Sequence, residues 1–260
     1  METSPRVSVI MPAYNAEKTL PYAIDSILRQ TMGDLELIIV DDASFDDTAE
    51  IIRHYTTRDA RVRQIRTPRN SRLGPIQFEP KNHGLVLAAA PVIAYLDADN
   101  EWHPAFLATM IDVLQREPLV QLAHCDSRNH YSAEEKAMVI RNDRRQLVME
   151  GDDWTVFSYS SLEPGNLGFS QYIDTNEIVH RASIFGRLNT LWRTTHPRRA
   201  MVNASQSIVR PDRRHNDLDL VERVLEEFGP QSIFHHAEVL VYYYYPSYPR
   251  PPHPLSIQPH

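Results

Sequence analysis

The chain has 260 residues, with 27 Lys and Arg against 34 Asp and Glu, a formal net charge of −7. That length supports one substantial core, or one domain with an appended lobe. The acidic balance excludes general nucleic-acid binding, which needs a basic face, and the single cysteine, Cys125, excludes an intramolecular disulfide.

In chain order, Val7 to Met11 is a short apolar run rich in β-branched residues and reads as a buried strand closed by Pro12. Leu20, Ala23, Ile24, Ile27 and Leu28 trace one helix face. Leu37 to Val40 reads as a second buried strand stopping at Asp41–Asp42, Asp47 to Tyr55 as a helix, and Val62 to Arg66 as a third strand. Gly84 to Ala90 predicts a helix ended by Pro91, and Val92 to Leu96 a fourth strand running into Asp97. Pro104 to Arg116 predicts a helix with proline in its first turn, and Val120 to His124 another strand. Strands alternating with helices at this spacing predict an α/β fold, a mostly parallel sheet covered by helices on both faces.

The second half is less regular. Asp126 to Asp153 is polar and reads as a surface excursion, Tyr172 to His180 as a strand, Leu218 to Phe228 as a helix and Ile233 to Tyr245 as a strand. Pro246 to His260 holds six prolines and reads as an extended tail. The expected division is a donor-binding half over 1–125, an acceptor-binding half over 126–245 and the tail over 246–260. No apolar run approaches the roughly 20 residues that span a bilayer, and Met1 to Arg6 does not read as a signal peptide. The expected location is cytoplasmic, with association at the inner face of a membrane through a lipid-linked acceptor left open.

Parallel sheets bind ligands at the carboxyl ends of their strands, and the polar clusters fall there. Asp97–Ala98–Asp99 follows a buried strand, and two carboxylates one residue apart can hold Mg²⁺ or Mn²⁺ together with substrate phosphates; solvated aspartates in a turn are the alternative. Asp41–Asp42 ends another strand, where a carboxylate can accept from a ribose hydroxyl or base N–H, or Ser44 and Asp46 can simply cap the next helix. Tyr14 can stack on a base and Asn15 can order its loop, or the tyrosine only packs. Lys81–Asn82 precede a helix and the lysine can pair with a diphosphate, or it is a solvated lysine. Asn216–Asp217 open a late helix, where an aspartate serves as a cap or as a general base. His180, His235 and His236 are each read as packed or surface histidines sooner than as a metal ligand. The turn after the first strand lacks both G-x-G-x-x-G and G-x-x-x-x-G-K-[ST].

Together the segments Val7 to Asn15, Ser26 to Thr31, Leu35 to Ser44 with Asp47–Thr48, and Tyr95 to Pro104 resemble the family 2 glycosyltransferases. The resemblance is dense over 7–110 and thinner from about 170 to 245. It implies a GT-A fold with a small antiparallel acceptor-side region and inverting transfer of a sugar from a nucleotide-diphosphate donor, UDP being the commonest. It implies that Pro12, Ala13, Tyr14, Asn15, Asp42 and Ser44 hold the nucleoside, that Lys81, Asn82, Asp97 and Ala98 attend the diphosphate, and that Asp99, with Asp97, binds Mn²⁺ or Mg²⁺. Asp217 matches the family's catalytic base. The chain carries Lys81 where members usually carry arginine and Asn216 where they usually carry glutamate. The implied acceptor is a glycan, a lipid-linked glycan or a small molecule. Two rivals are a noncatalytic sugar-nucleotide-binding protein and a sugar nucleotidyltransferase; the latter usually shows a glycine-rich basic loop that Pro12 to Lys18 is not.

Overall fold

The computed structural model describes residues 4–71, 80–142, 146–158, 173–188, 215–246, 248–251 and 253–255. Its strands form one sheet in the order β3 (Val62–Arg66), β2 (Leu35–Asp41), β1 (Val7–Ala13), β4 (Val92–Tyr95), β9 (Ile178–Arg181), β6 (Leu122–His130), β10 (Ile233–Tyr244) and β5 (Glu101–Trp102), with β8 (Trp154–Ser158) pairing β6 and β7 (Gln146–Glu150) pairing β8. The parallel part is β1, β2, β3 and β4. β9 runs antiparallel between β4 and β6. β10 lies parallel to β6 and antiparallel to the two-residue β5. β7 and β8 extend β6 as an antiparallel hairpin.

Alternation sorts the strand side chains into two cores. Val7, Val9, Met11, Leu37 and Ile39 point to one face, where α1 (Leu20–Leu28), α2 (Thr48–Thr56) and α4 (Phe106–Arg116) cover them. Ile10, Val40, Ile93 and Tyr95 point to the other, against α3 (Pro80–Leu87), α6 (Ile184–Leu188) and α7 (His215–Phe228). Helices on both faces and β-branched residues buried on both sides of β1 and β2 follow from the same pattern. A further helix, α5 (Ala133–Asn142), precedes the β7–β8 hairpin.

Several boundaries differ from the sequence reading, each for a local reason. Pro12 does not close β1, which continues to Ala13. Ile10 carbonyl accepts the last bond from the β4 side, at Leu96 N, and β4 has then ended, so the missing N–H of Pro12 costs no ladder bond. The predicted helix over Gly84 to Ala90 is instead Pro80–Leu87. Ala89 N–H is taken by Glu36 Oε1 at 2.8 Å and Ala90 N–H by Ser8 Oγ at 3.0 Å, which stops the helix and turns the chain into β4. α4 begins at Phe106, two residues beyond Pro104.

Asp126 to Asp153 is no surface excursion throughout. β6 runs on to His130 with Asp126, Ser127 and Asn129 buried, because β8, β9 and β10 flank it and supply partners such as the 2.8 Å His235 Nε2–Asp126 contact. The predicted strand over Tyr172 to His180 is reduced to Ile178–Arg181, preceded by a 3-10 turn over Thr175–Glu177; Tyr172 itself lies outside the described residues. β6 crosses the expected 125/126 division without a break. Among the described residues no helix is long and apolar enough to cross a membrane.

Candidate functional site at the carboxyl ends of β1, β2 and β4

Because β1 is parallel to both β2 and β4, all three release their following loops at one edge of the sheet. That edge therefore collects Tyr14 and Asn15 after β1, Asp42 and Ser44 after β2, and Asp97–Ala98–Asp99 after β4.

The first two loops are stitched together by side chains. Asn15 has φ 49° and Ala43 φ 60°, both in the left-handed region that costs an L residue strain. The bonds that hold this shape run from Asn15 N–H to Ser44 Oγ at 3.0 Å and from Phe45 N–H to Asn15 Oδ1 at 3.0 Å. Asp46, one residue before the α2 N-cap Asp47, accepts from Thr48 N–H at 3.0 Å and from Glu17 N–H at 3.1 Å. Ser44 thus ties the loops, while Asp46 takes up the first N–H of α2. Tyr14 is 39% exposed and meets the exposed Phe45 edge-on, with ring centroids 6.2 Å apart.

The two aspartates ending β2 do different work. Asp41 is internal: it accepts from Ser44 N–H at 2.9 Å and from Arg66 Nη1 at 2.5 Å, fixing the turn. Asp42 faces the segment after β3. Its carboxylate accepts from Thr67 Oγ1 at 3.0 Å, Ser71 N–H at 3.0 Å and Ser71 Oγ at 2.7 Å. A nucleoside hydroxyl or base N–H reaching Asp42 would have to replace the Ser71 donors.

Asp97 is fixed by Asn176, a residue the sequence reading did not single out. Asp97 N–H donates to Asn176 Oδ1 at 2.6 Å, and Asn176 Nδ2 donates back to Asp97 Oδ2 at 3.1 Å. Asn176 is itself held by Asp174 Oδ1, which accepts its N–H at 3.0 Å and its Nδ2 at 2.7 Å, and by Trp102 Nε1, which donates to its carbonyl at 2.9 Å. Asp174 and Glu177 form a capping box around this turn. The same turn presents Thr175, whose Oγ1 accepts from the buried Lys81 Nζ at 3.2 Å. Lys81 therefore reaches the Asp97 neighbourhood from the first turn of α3, and Asn82 lies beside it, half-buried.

Ala98 is buried and Asp99 is exposed, with its carboxyl group set back among neighbouring atoms. Crowding by surrounding protein, then the negative charge of Asp97, push the Asp99 carboxyl up to about 6, and Asp174 adds to the repulsion. Among the described residues no group of three or more His, Cys, Asp or Glu stands together as a metal site; Asp97 and Asp99 are two carboxylates one residue apart, oxygen donors of the kind Mg²⁺ and Mn²⁺ take. Two such donors suit an ion that takes its remaining oxygens from substrate phosphates and water. One further group reaches this turn: Arg250 Nη2, from the tail, donates to Asp99 carbonyl at 2.5 Å.

Asp217 lies in the first turn of α7; its side chain and that of Asn216 lie outside the described residues. The histidines are packed. His180 is fully buried, with Nδ1–H donating to Arg181 carbonyl at 2.9 Å and Nε2 accepting from Tyr95 hydroxyl at 2.9 Å. His235 pairs with Asp126 and stacks on the buried His124, and His236 lies 3.3 Å from Glu238.

A signal in the sequence for Asn176 does exist, since aspartate followed three residues later by glutamate is a capping pattern. It announces a turn without saying what the turn touches. Arg250 has no comparable signal.

The family model described as Glycosyl transferase family 2 matches residues 8–160. Among curated relatives, the Bacillus subtilis "Uncharacterized glycosyltransferase EpsJ" is 35% identical over 115 residues, 44% of this chain and 32% of that protein. The Campylobacter jejuni "GalNAc(5)-diNAcBac-PP-undecaprenol beta-1,3-glucosyltransferase" is 29% identical over 182 residues, 66% of this chain and 57% of that one. The chain thus spans 32% and 57% of the length of these two relatives. Among solved structures, S. aureus TarS 1-349 in complex with UDP-GlcNAc has a TM-score of 0.62 at 14% identity, covering 98% of this chain and 62% of that one. The mannosyltransferase PcManGT from Pyrobaculum calidifontis in complex with GDP-Man and Mn²⁺ has a TM-score of 0.58 at 16% identity, covering 93% of this chain and 57% of that one. At these identities the likeness of structure shows a shared fold.

Proposed function

This chain belongs to glycosyl transferase family 2, and from that premise we propose that it moves a sugar from a nucleotide-diphosphate donor to an acceptor hydroxyl. The observation that carries the reading is the parallel β2-β1-β4 arrangement, which delivers Tyr14, Asp42 and Asp97–Asp99 to one edge. Pro12, Ala13, Tyr14, Asn15, Asp42 and Ser44 hold the nucleoside in this reading, with Tyr14 on the base and Asp42 exchanging its Ser71 donors for it. Lys81, Asn82, Asp97 and Ala98 attend the diphosphate. Asp99 and Asp97 hold Mn²⁺ or Mg²⁺, which when bound supplies positive charge to the departing diphosphate. Lys81 adds a cation from α3 but lacks the bidentate fork of arginine.

Asp217 takes the proton of the acceptor hydroxyl. The acceptor oxygen then bonds to the anomeric carbon as the bond to the diphosphate oxygen breaks, and a single displacement inverts the centre. Residues 1–125 form the donor half and 126–245 the acceptor half. Structural neighbours bound to UDP-GlcNAc and to GDP-Man support a nucleotide sugar without choosing the base; UDP is our first choice. The undecaprenol-linked relative supports a glycan or lipid-linked acceptor, and such an acceptor would place the chain at the inner face of a membrane. A small-molecule acceptor is the remaining class.

The test is release of nucleoside diphosphate from a panel of nucleotide sugars with Mn²⁺ and candidate acceptors. Asp217→Asn is expected to lower turnover about 100-fold or more, the usual contribution of a positioned base, while donor binding is kept. Full turnover in Asp217→Asn would remove the base assignment. Asn216, standing where the family usually has glutamate, favours a second reading, binding without turnover. Tight donor binding with no release for any acceptor would select it.

A further inference from the structure

The stretch after β10 turns back across the molecule. Leu255 packs on the core under β1 and β2. His253 Nδ1 accepts from Leu255 N–H at 3.1 Å, and His253 Nε2 donates to Asp25 Oδ2 at 3.3 Å. The Tyr22 hydroxyl donates to the carbonyl of Pro251, and the Tyr22 ring meets that of His253 edge-on at 4.7 Å. Both Asp25 and Tyr22 belong to α1, so these anchors fasten the tail to the helix that follows the first loop of the site.

Between β10 and these anchors lies Arg250. Pro249 and Pro251 flank it; proline fixes its own φ and restricts the residue before it, so this backbone has little freedom to lose. The guanidinium lies 3.6 Å from the centroid of Tyr244 and 5.3 Å from that of Tyr22. Nη2 donates to Asp99 carbonyl at 2.5 Å, and Nη1 lies 3.5 Å from Glu101 Oε1. The side chain is only 11% exposed. Arg250 thus grips the Asp97–Asp99 turn at its Asp99 end, while Asn176 holds the Asp97 end, and it brings a positive charge beside carboxylates that repel one another.

We propose that Arg250 is a positioning residue for the Asp97–Asp99 turn, and that the proline-rich tail is therefore part of the donor site. Its bearing on the donor rests on the reading of that turn as the diphosphate and metal end; its bearing on the turn does not. Asn176 holds Asp97, and Arg250 holds the carbonyl two residues on, so the two carboxylates keep their spacing.

Hydrogen exchange of the Asp97–Trp102 segment in ligand-free protein tests the first part, and Mn²⁺-dependent binding of UDP and GDP tests the second. The variants are Arg250→Ala, Arg250→Lys and His253→Ala. Arg250→Ala is expected to speed exchange of the segment and to weaken nucleotide binding, each about tenfold, the scale of one lost charged hydrogen bond. Arg250→Lys, which keeps the charge and loses the fork, falls between, and it supplies the reading should the alanine variant fold poorly. His253→Ala loosens the α1 anchor alone and leaves the segment near the wild-type rate. Wild-type exchange in Arg250→Ala would overturn the proposal, as would equal loosening in His253→Ala, which would make the arginine only a tail anchor. Faster exchange in Arg250→Ala, in a wild-type protein that binds neither nucleotide, would keep the positioning role and remove the donor-site reading.

Discussion

The imidazole of His180 is held from both sides, its Nδ1–H spent on Arg181 carbonyl and its Nε2 on the Tyr95 hydroxyl, so only one neutral tautomer satisfies the pocket. Burial pushes its pKa down to about 4 from 6.5, and burial with the neighbouring His235 lowers that of His124 as well. Below pH 6.5 the unfolded chain takes up protons that the folded His180 refuses until about pH 4. The stability this group contributes is therefore present above pH 6.5 and lost as pH falls through that window, by about 3 kcal/mol at most. His180→Gln is expected to flatten the fall in unfolding free energy between pH 6.5 and 4, measured by urea denaturation. An unchanged slope would mean that other groups carry the acid sensitivity. In the sequence His180 is just one of twelve histidines; its role depends on Tyr95, 85 positions away, and no local pattern announces it.

Helix α3 shows how an element serves the site from a distance. Gly84 sits where α3 crosses β1, and a Cβ placed there would lie 2.6 Å from Ile10 Cγ2. Gly84→Ala is expected to cost about 1–3 kcal/mol, the usual penalty for overpacking a tight contact, read as a lower midpoint in chemical denaturation. The same shift would draw Lys81 away from Thr175, so a weaker nucleotide response should accompany the lost stability. Unchanged stability would mean that α3 rides freely on β1. β1 and β2 are readable as unbroken apolar runs because both their faces are buried, and α1, α2 and α4 are readable because each buries one continuous stripe. α3 was misplaced because Ser8 and Glu36, two strand residues, set its end by capturing Ala90 and Ala89. β6 was cut short because its polar second half is buried by neighbours that arrive from later in the chain.

At the scale of the whole molecule, one sheet edge gathers loops from β1, β2 and β4, the Thr175–Glu177 turn, α3 and the returning tail. The aspartates of that edge were legible because each follows an apolar strand directly. The residues that orient them were not, since Asn176 and Arg250 come from segments 79 and 151 positions away. In the proposed function Asp97–Ala98–Asp99 binds a divalent ion together with a nucleoside diphosphate. Thermal unfolding of the purified protein with UDP, GDP, dTDP or CDP, each with and without Mn²⁺, tests it most directly, because a ligand that binds only the folded state raises the midpoint by mass action. The expected result is a rise with at least one nucleotide that requires Mn²⁺ and vanishes in Asp99→Ala. A rise that persists in Asp99→Ala, or no rise with any nucleotide and metal, would contradict it.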